Sequence, residues 1–384
     1  MIKVLLVSES YGASLFGVAK VICDINKYCS RKVKVKVLAT RKDDSAVSHY
    51  SEIPIYSIGK SRNSFGRLMR WHHGIGNYFT REIREFGPHV THVHGVFTFI
   101  QAAAIRASIK GNIPIIISSH GMLEPWLWRQ KGEIYYWAKR ILWNILYKPA
   151  IKKVNFIHAI TDQEARNLAK EFPNIPQIKI PNAIEISEYS AIQEEPEKER
   201  YLFFIGRLHP KKGVDLLISA FAKVREENIR MIIAGPDFDA DYTAKLKAQV
   251  ESLGLSERVS FVGSVHGEKK SELLEKAWCT VIPSYSDVVA LVNLESAASF
   301  TPTITTTMTG LSDWQEGGGL LVEPELEALT DAMITACEWS LDERMQMGKR
   351  ARAFVEQRYS WDVIGEQWVE AYKMIAASGK KRHG

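Results

Sequence analysis

The sequence lacks the long apolar stretches that mark membrane spans. No run reaches the ~18–20 uninterrupted apolar residues that a bilayer-spanning helix needs. Its start, MIKVLLVSESYG, has one Lys and then a short mixed run that reaches Ser and Glu, without the apolar run and small-residue cleavage site of a signal peptide. We therefore expect a cytoplasmic protein, with peripheral contact to the inner face of a membrane as a further option.

Paired cysteines and a nicotinamide-binding fingerprint are also missing. The four cysteines form no CxxC pair and have no Cys/His spacing that suits zinc, so buried free thiols in a reducing compartment are expected. No strand-like run is followed by GxGxxG, which weighs heavily against an oxidoreductase on paired Rossmann domains.

Acidic residues are scarce in one part of the chain. Residues 60–153 contain fifteen Lys and Arg against four Glu and no Asp, a net charge of +11, whereas the whole chain carries +6. The remainder is therefore net acidic. This asymmetry indicates an anionic partner for the first half, such as a membrane surface, a phosphorylated lipid or a nucleic acid. A solvated basic face is the alternative.

Short apolar runs alternate with helix-length segments along the 384 residues, a length typical of two or three domains. KVLLVS starts the chain, a helical stretch at about 17–28 follows, and VKVKVLAT comes next. This alternation is typical of a parallel sheet with crossover helices, which binds ligands beyond the carboxyl ends of its strands.

A polar segment with a proline, AIQEEPEKER at 191–200, is predicted to be an exposed connector between domains. The alternation then restarts with six strand-like runs, at 201–206, 231–236, 259–263, 279–284, 301–306 and 319–324. Two doubly wound halves make a cleft between them the expected binding site.

The loop GRLHPKKG, residues 206–213, follows the first of these runs. Gly206 allows a tight turn off the strand, and Gly213 allows close approach where a helix begins near Val214. Arg207 and Lys212 supply positive charge that, with the amides at the helix start, suits a diphosphate. A basic surface turn with a glycine cap is the alternative.

Two carboxylates lie in the later segment PSYSDVVALVNLES. Asp287 is expected in the loop before a helix and Glu295, eight residues on, within it. Asp287 also suits the N-cap of that helix, which is its structural alternative. Glu295 is flanked by apolar residues, so its carboxylate needs a partner.

These pieces together resemble the GT-B fold retaining glycosyltransferases of family 4. The family has GRL-x-P-x-KG after a strand and, later, PS-x-x-E-GFG-L-V-x-LEA. Here GRLHPKKG, IIAGPD, VSFVGSVHG, PSYSDVVALVNLES and TPTIT occur in the same order, and the first half adds SSHGMLEPW and PNAIE. The resemblance spans nearly the whole chain.

The resemblance implies an α/β fold of the GT-B type, two Rossmann-like doubly wound parallel-sheet domains facing a cleft. It implies an acceptor-binding domain at 1–183, joined by a C-terminal helix at about 362–384, and a nucleotide-sugar-binding domain at 184–361. The implied function is a metal-independent, retaining hexosyltransferase without a separate cofactor. Its donor would be a nucleotide-diphosphate sugar and its acceptor a glycan or polyprenyl-linked molecule, in the synthesis of a cell-surface polysaccharide or glycoconjugate.

The resemblance also assigns residues. Four would be catalytic: Arg207 and Lys212 neutralise the departing diphosphate, Asp287 faces the donor sugar, and His120 lies beside both sugars. Those implied to bind the nucleotide diphosphate are Gly17, Gly206, Glu295, Val262, Leu291 and Val292. No metal ligand is implied. His120 has a purely structural role as its alternative, and His92 and His94 in THVHG are predicted to be packing residues near the cleft.

The sequence departs from the family at several positions. Asp287 replaces a glutamate, Val288, Val289 and Ala290 replace GFG, Phe16 replaces the first glycine of the pair that ends at Gly17, and Ala183 replaces the glycine of PNG. β-Branched residues do not readily take positive φ, so this loop must be reshaped if the glycines use it. A catalytically weak homologue acting as a nucleotide-sugar-binding partner subunit is therefore the alternative function.

Residues 126–154 combine four tryptophans, three tyrosines and seven basic residues. Aromatic rings with interleaved Lys and Arg suit the interface of an anionic membrane. The alternative is an amphipathic helix with its tryptophans in the core and its basic residues solvated. Because the aromatic residues cluster in one helix-like stretch, no nucleic-acid partner is predicted.

GPDFDADY, residues 235–242, holds three aspartates. Asp237, Asp239 and Asp241 resemble the carboxylate set of a metal-dependent sugar transferase. They also precede a helical stretch, and N-capping of that helix is the preferred interpretation.

Overall fold

The computed structural model describes residues 1–11, 18–42, 56–57, 74–125, 128, 132–189, 200–226, 228–237, 239–287 and 289–380. The chain divides into two compact units. Unit 1 consists of Met1–Pro181 and Trp361–Gly384, and unit 2 consists of Asn182–Ser360.

Unit 1 is built on a parallel sheet. Its strands are β1 (Lys3–Tyr11), β2 (Lys34–Lys42), β3 (Tyr56–Ser57), β4 (Val90–His94), β5 (Ile115–Ser118), β6 (Phe156–Ala159) and β7 (Gln177–Lys179). Among the described residues the order is β3-β2-β1-β4-β5-β6-β7, with every neighbouring pair parallel. The order reverses beside β1, which is the doubly wound arrangement.

Helices cover this sheet. They are α1 (Val18–Cys29), α2 (Ile75–Phe86), α3 (Phe99–Lys110), α4 (Glu133–Leu142), α5 (Lys148–Ile151) and α6 (Asp162–Glu171), and a π-helical turn, Trp143–Tyr147, joins α4 to α5. Val4, Leu5, Leu6 and Val7 of β1 are all fully buried. A strand covered on both faces reads as a continuous apolar run, which explains why the start of the chain predicted it well.

Unit 2 repeats this architecture. Its strands are β8 (Tyr201–Ile205), β9 (Arg230–Ala234), β10 (Val259–Gly263), β11 (Cys279–Ile282), β12 (Thr303–Thr306) and β13 (Gly319–Val322). They are parallel, in the order β10-β9-β8-β11-β12-β13. All six strand-like runs predicted after residue 200 are therefore confirmed.

The helices of unit 2 follow its strands. They are α7 (Val214–Phe221), α8 (Ala240–Ser252), α9 (Gly267–Lys276), α10 (Leu291–Ala298), α11 (Leu326–Glu338) and α12 (Leu341–Tyr359). The last helix, α13 (Trp361–Lys380), belongs to unit 1. There the Trp361 ring stacks on Tyr28 of α1 with 5.1 Å between ring centroids, and Tyr372 is fully buried.

The chain passes from unit 1 to unit 2 at Pro181, ahead of the predicted connector. The reason is that Ile184 already packs in a cluster of unit 2 with Leu294 and Trp314, and its amide donates to the Tyr359 carbonyl at 2.8 Å. Most of the polar segment, residues 190–199, lies outside the described residues.

Two further expectations concern helices and thiols. In the part of the chain that the structure describes, every helix is too short or too polar to cross a membrane. Cys23, Cys29, Cys279 and Cys337 are all buried free thiols, as predicted.

Candidate active site

The loop from Gly206 to Gly213 leaves the carboxyl end of β8 and leads into α7. Pro210–Lys212 form one 3₁₀ turn, and Gly213, at φ 66°, is the residue before α7 begins. The predicted strand before the loop and helix after it are both present. Ligands of parallel sheets bind at this end of the strands.

Close backbone packing in this loop requires glycine at two places. A Cβ on Gly213 would lie 2.2 Å from the carbonyl oxygen of Pro283, and Gly213 also has the left-handed φ that favours glycine. A Cβ on Gly235, at φ +153°, would lie 1.7 Å from the carbonyl oxygen of Gly206. The start of the loop therefore packs directly on the backbone of Gly235. Gly206 itself lies outside the left-handed region.

Lys212 and Asp287 meet in an ion pair. The Lys212 ammonium contacts Asp287 Oδ2, and both side chains are mostly buried, with 16% and 14% exposed. The amide of Asp287 donates to the Met308 carbonyl at 2.9 Å. The helix α10 begins at Leu291 with Ala290 before it, so the N-cap alternative for Asp287 is wrong. Val288 lies outside the described residues.

Glu295 lies within α10, as expected, and its partner is Lys270 of α9. The Lys270 ammonium is 2.6 Å from Glu295 Oε2, with 26% and 15% of the two side chains exposed. Tyr189 lies near the same carboxylate: burial, and next the charge of Glu295, raise its phenol pKa. The sequence did not reveal Lys270, because nothing in the polar run GEKKSELLEK separates it from its neighbour Lys269.

Positive charge dominates the loop. Burial lowers the pKa of Lys211, and the nearby Lys212 and Arg207 lower it further, while Asp287 opposes them. Burial lowers the His209 pKa, as do the charges of Lys211 and Arg207. The charged residues of the loop itself, Arg207, Lys211 and Lys212, are all cations, and Asp287 pairs with one of them, which favours an anion.

The remaining predicted nucleotide contacts in unit 2 supply apolar surface. Val262 in β10 is 43% exposed. Leu291 and Val292 are half-buried at the start of α10. Val262 lies near the carboxyl end of β10, and Leu291 and Val292 begin the helix that follows β11. Gly17 lies outside the described residues.

His120 lies in unit 1, one residue beyond the Ser119 that follows β5. Its φ of 51° is left-handed, which is uncommon for any residue except glycine. The buried carboxylate of Glu164 holds this turn, because it accepts from Ser119 Oγ at 2.5 Å and from the Gly121 amide at 2.7 Å. His120 Nε2 is 2.9 Å from Nδ1 of His94.

A buried histidine network surrounds this pair. The parallel register places His94 beside Ser118 and Ser118 beside His158, and His92 shares the face of His94 two residues away. His92 Nε2 is 2.7 Å from Ser118 Oγ, and Ser118 Oγ is 2.7 Å from His158 Nδ1. His92 Nδ1 contacts the Tyr372 hydroxyl of α13 at 2.8 Å.

The direction of these hydrogen bonds follows from one carbonyl. His158 Nε2 is 2.7 Å from the Ile180 carbonyl, which only accepts, so Nε2 carries the proton. In a neutral ring Nδ1 then accepts from Ser118, Ser118 accepts from His92 Nε2, and His92 Nδ1 accepts from Tyr372. The chain Tyr372–His92–Ser118–His158 therefore runs one way.

Burial keeps these rings neutral. It is the main cause that lowers the pKa of His92, His94 and His158, and it lowers that of His120 to about 3. His94 Nε2 is buried without a hydrogen-bond partner among the described residues. An unpaired ring lone pair costs less than an unpaired N–H, so His94 Nδ1 donates to His120 Nε2 and His120 keeps its proton on Nδ1.

Sequence reasoning predicted only part of this network. His92 and His94 are buried as packing residues would be, with 0% and 1% exposed, but both are also hydrogen-bonded. Ser118 and His158 were not predicted. The available signal was that three successive runs, THVHG, IIISSH and FIHA, each end near a histidine at the same edge of the sheet.

The aromatic segment is divided between core and surface. Trp143 is fully buried and Trp128 is 5% exposed, whereas Trp137 is 58% exposed. Trp126 lies outside the described residues. Exposed side chains at helical spacing form an apolar stripe of Ile134, Trp137, Ile141 and Ile145. We call these four residues the α4 stripe.

Of the five basic residues that the structure describes in this segment, three have partners within the fold: Lys139, Arg140 and Lys148. The Lys139 ammonium lies 4.3 Å from the centre of the Phe97 ring. Arg140 and Lys148 both pair with Glu171, at 3.5 Å and 2.6 Å. The buried Trp128 and Trp143 fit the packed-helix alternative, and the exposed Trp137 leaves membrane contact a prediction.

The aspartates of residues 235–242 have a structural role at one position. Asp239 is the N-cap of α8, and its Oδ1 accepts from the Tyr242 amide at 3.1 Å. In the described residues, no three His, Cys, Asp or Glu side chains are grouped closely enough to hold a metal ion.

Two relatives show how far the similarity in sequence reaches. An uncharacterized glycosyltransferase of Methanocaldococcus jannaschii is 31% identical over 185 residues, which are 46% of this chain and 46% of that protein. The phosphatidylinositol N-acetylglucosaminyltransferase gpi3 subunit of Schizosaccharomyces pombe is 23% identical over 76% of this chain and 62% of its own length. The chain thus spans about half of the first relative and less than two thirds of the second.

Solved structures show the same fold over nearly the whole chain. Sucrose-phosphate synthase from Thermosynechococcus elongatus has a TM-score of 0.76 at 17% identity, and covers 98% of this chain and 100% of its own. HepE of Anabaena, in complex with UDP and glucose, has a TM-score of 0.75 at 19% identity, and covers 97% and 100%. The predicted GT-B fold is confirmed.

Two family models match consecutive parts of the chain. The one described as Glycosyltransferase Family 4 matches residues 17–188, and the one described as Glycosyl transferases group 1 matches residues 185–354. The chain therefore belongs to the family 4, group 1 glycosyltransferases with the GT-B fold.

Proposed function

We propose that this protein is a retaining glycosyltransferase that takes its sugar from a nucleotide-diphosphate donor held by unit 2. The observation that carries the proposal is the ion pair of Lys212 and Asp287, set in a loop with Arg207 and Lys211 beyond the carboxyl end of β8. It combines the cations that a diphosphate needs with an acid that can accept from sugar hydroxyls.

The cations act on the leaving group. As the bond from the anomeric carbon to the phosphate oxygen breaks, negative charge grows on the diphosphate, and Arg207 and Lys212 stabilise it without moving. The acceptor oxygen bonds to the same face of that carbon, and its proton passes to the departing phosphate oxygen. These cations do the work that a divalent metal does elsewhere, so the proposed transfer needs no metal or other cofactor.

The two carboxylates contact different parts of the donor. Asp287 accepts hydrogen bonds from the sugar hydroxyls while Lys212 fixes its orientation. Glu295 binds the ribose, and the Lys270 ammonium orients its carboxylate. HepE of Anabaena, which shares the fold, has been solved in complex with UDP and glucose, and this supports a nucleotide sugar as the donor class.

His120 contributes from unit 1. Its neutral ring, with Nε2 accepting from His94, leaves the Nδ1 proton to donate to a sugar hydroxyl. A charged histidine is disfavoured by burial here.

The acceptor in this proposal is a glycan or a lipid-linked molecule at the inner face of a membrane, in the synthesis of a cell-surface polysaccharide or glycoconjugate. The α4 stripe supports this, because amphipathic helices insert such side chains into the headgroup region. The name of the Schizosaccharomyces pombe relative, which includes phosphatidylinositol, points to the same class of acceptor.

The membrane contact is tested by sedimentation with anionic vesicles. Trp137→Ser combined with Ile141→Ser should reduce binding, whereas Leu253→Ser, an exposed apolar residue of unit 2, should not. Unchanged sedimentation of the double variant contradicts the membrane contact and leaves the donor site untouched.

The donor site is tested by thermal shift against a panel of nucleotide sugars, since a ligand that binds only the folded state raises the melting temperature. The wild type should be stabilised by one class of donor, and Arg207→Ala should lose that shift. Arg225→Ala, an exposed arginine elsewhere in unit 2, should keep it. No shift with any nucleotide sugar contradicts the proposal.

The partner-subunit alternative rests on the replacement of GFG by Val288, Val289 and Ala290. It also predicts nucleotide-sugar binding, so turnover separates the two. Donor hydrolysis or transfer by the purified wild type, lost in Lys212→Ala, favours the enzyme. Binding without any turnover favours the partner subunit.

A further inference from the structure

A second positively charged site lies in unit 1. A cavity of about 490 Å³ is bordered by α2, α3 and α5 and by the turn after α5, and none of the residues assigned above to the donor or the acceptor lines it. Its volume falls in the ordinary range for small-molecule sites.

Three cations border this cavity. Arg106 and Lys110 are four residues apart on α3 and therefore lie on one face of the helix. Lys153, just beyond α5, closes the group from another element. The lining includes no Asp or Glu among the described residues.

None of these cations has an ion-pair partner in the described part of the chain. The neighbouring basic residues differ, because Arg140 and Lys148 share the carboxylate of Glu171. Three like charges left unpaired around one cavity repel each other and create a local potential that favours an anion.

The other lining residues indicate which class of anion suits the cavity. Phe99, Ile109 and Pro149 contribute apolar surface to the lining, and Asn77 contributes a side-chain amide. A guanidinium fork with two ammonium groups suits the oxygens of a phosphate better than a single carboxylate. Apolar side chains in the same lining suit a phosphate that carries an organic group.

We propose that this cavity binds a phosphate group, supplied either by a membrane lipid headgroup or by a free phosphorylated small molecule. Arg106, Lys110 and Lys153 bind the phosphate oxygens and Asn77 donates to one of them. The site is independent of the donor site in unit 2, since no residue is shared between them.

The test uses the full chain and two probes. Calorimetry with inorganic phosphate measures the free anion, and sedimentation with phosphatidylcholine vesicles, with or without phosphatidic acid, measures the lipid. Arg106→Gln and Lys153→Gln are the test variants. Lys152→Gln is the matched control, because Lys152 is the adjacent exposed lysine and does not line the cavity.

We expect at least one probe to bind the wild type, and each test variant to weaken that binding by about threefold, the loss typical of an exposed charge pair. Lys152→Gln should bind as the wild type does. Binding of inorganic phosphate assigns a free ligand, and binding only of vesicles with phosphatidic acid assigns a lipid. Equal weakening by all three variants, or no binding of either probe, overturns the proposal.

Discussion

The two units carry chemistry in opposite ways. In unit 2 the polar site keeps its charges and pairs them, Lys212 with Asp287 and Lys270 with Glu295. In unit 1 burial holds His92, His94, His120 and His158 neutral in a hydrogen-bonded network beside the Glu164 carboxylate. One site is arranged to bind ions, the other to keep a fixed arrangement of neutral donors and acceptors.

The difference predicts an acid sensitivity that arises in unit 1. A histidine is free to take a proton in the unfolded chain at its ordinary pKa of about 6.5, but in the folded protein its pKa is lower. The unfolded state therefore binds more protons as pH falls, and stability that is fully present above about pH 6.5 is lost below it. For His120 the window extends down to about 3.

We expect this to be the largest of the effects, because several buried rings must charge together. Urea unfolding at pH 7.5, 6 and 5 measures it as a falling free energy of unfolding. A free energy that stays constant from pH 7.5 to pH 5 contradicts the neutral network.

A second prediction breaks the network at its centre. Ser118→Ala leaves the His92 Nε2 proton and the His158 Nδ1 lone pair without a partner in a fully buried place. Each unsatisfied group costs about 1–3 kcal/mol, so the two together are expected to cost about 2–6 kcal/mol. Chemical denaturation at pH 7.5 measures it.

Ser108→Ala is the matched control for this change. Ser108 is equally buried but makes one side-chain hydrogen bond, to Thr91 Oγ1 at 2.9 Å. It should cost about half as much as Ser118→Ala. Equal losses of stability in the two variants would contradict an added contribution from the Tyr372–His92–Ser118–His158 chain.

How far the sequence predicts these sites depends on whether they are built by local patterns or by contacts between residues distant in the chain. The strands and the GRLHPKKG loop were predictable, because continuous apolar runs and glycines beside a strand end are local patterns. Gly213 shows the limit of such local patterns. Glycine is required at this position because Pro283, about seventy residues away in the chain, packs against it. The N-cap alternative for Asp287 failed because the helix starts three residues later than a cap there would need.

The individual partners across elements were not predicted. Lys270 reaches Glu295 only because α9 and α10 pack together, and His94 reaches His120 only because β4 and β5 are neighbours in register. Residue type and spacing do not encode such pairings. The exposed position of Trp137 and the buried one of Trp143 were likewise decided by packing rather than by composition.

A third prediction removes charge from unit 2 without removing volume. Asp287→Asn keeps the side-chain size but leaves Lys212 without its counter-charge. Turnover should fall by roughly 10–100-fold, because an interaction made with the sugar in the transition state is lost, while nucleotide affinity changes little. Steady-state kinetics and calorimetry with the free nucleotide measure the two quantities.

Asp239→Asn serves as its control, because asparagine caps a helix about as well as aspartate. It should leave turnover unchanged. If Asp287→Asn lowers nucleotide affinity and leaves turnover intact, Asp287 belongs to the nucleotide site and not to the sugar site.

The smallest effect concerns the second ion pair of unit 2. Glu295→Ala should weaken nucleotide binding about three- to tenfold, the loss expected for one or two hydrogen bonds to ribose. Lys270→Ala should weaken it less, because in this proposal the lysine only orients the carboxylate. Glu268→Ala, an exposed acid in the first turn of α9, is the control and should bind normally.

Unchanged calorimetric affinity in Glu295→Ala contradicts the ribose assignment. A larger loss in Lys270→Ala than in Glu295→Ala would mean that the lysine contacts the nucleotide itself, and the paired charges of unit 2 would then be a second set of phosphate contacts.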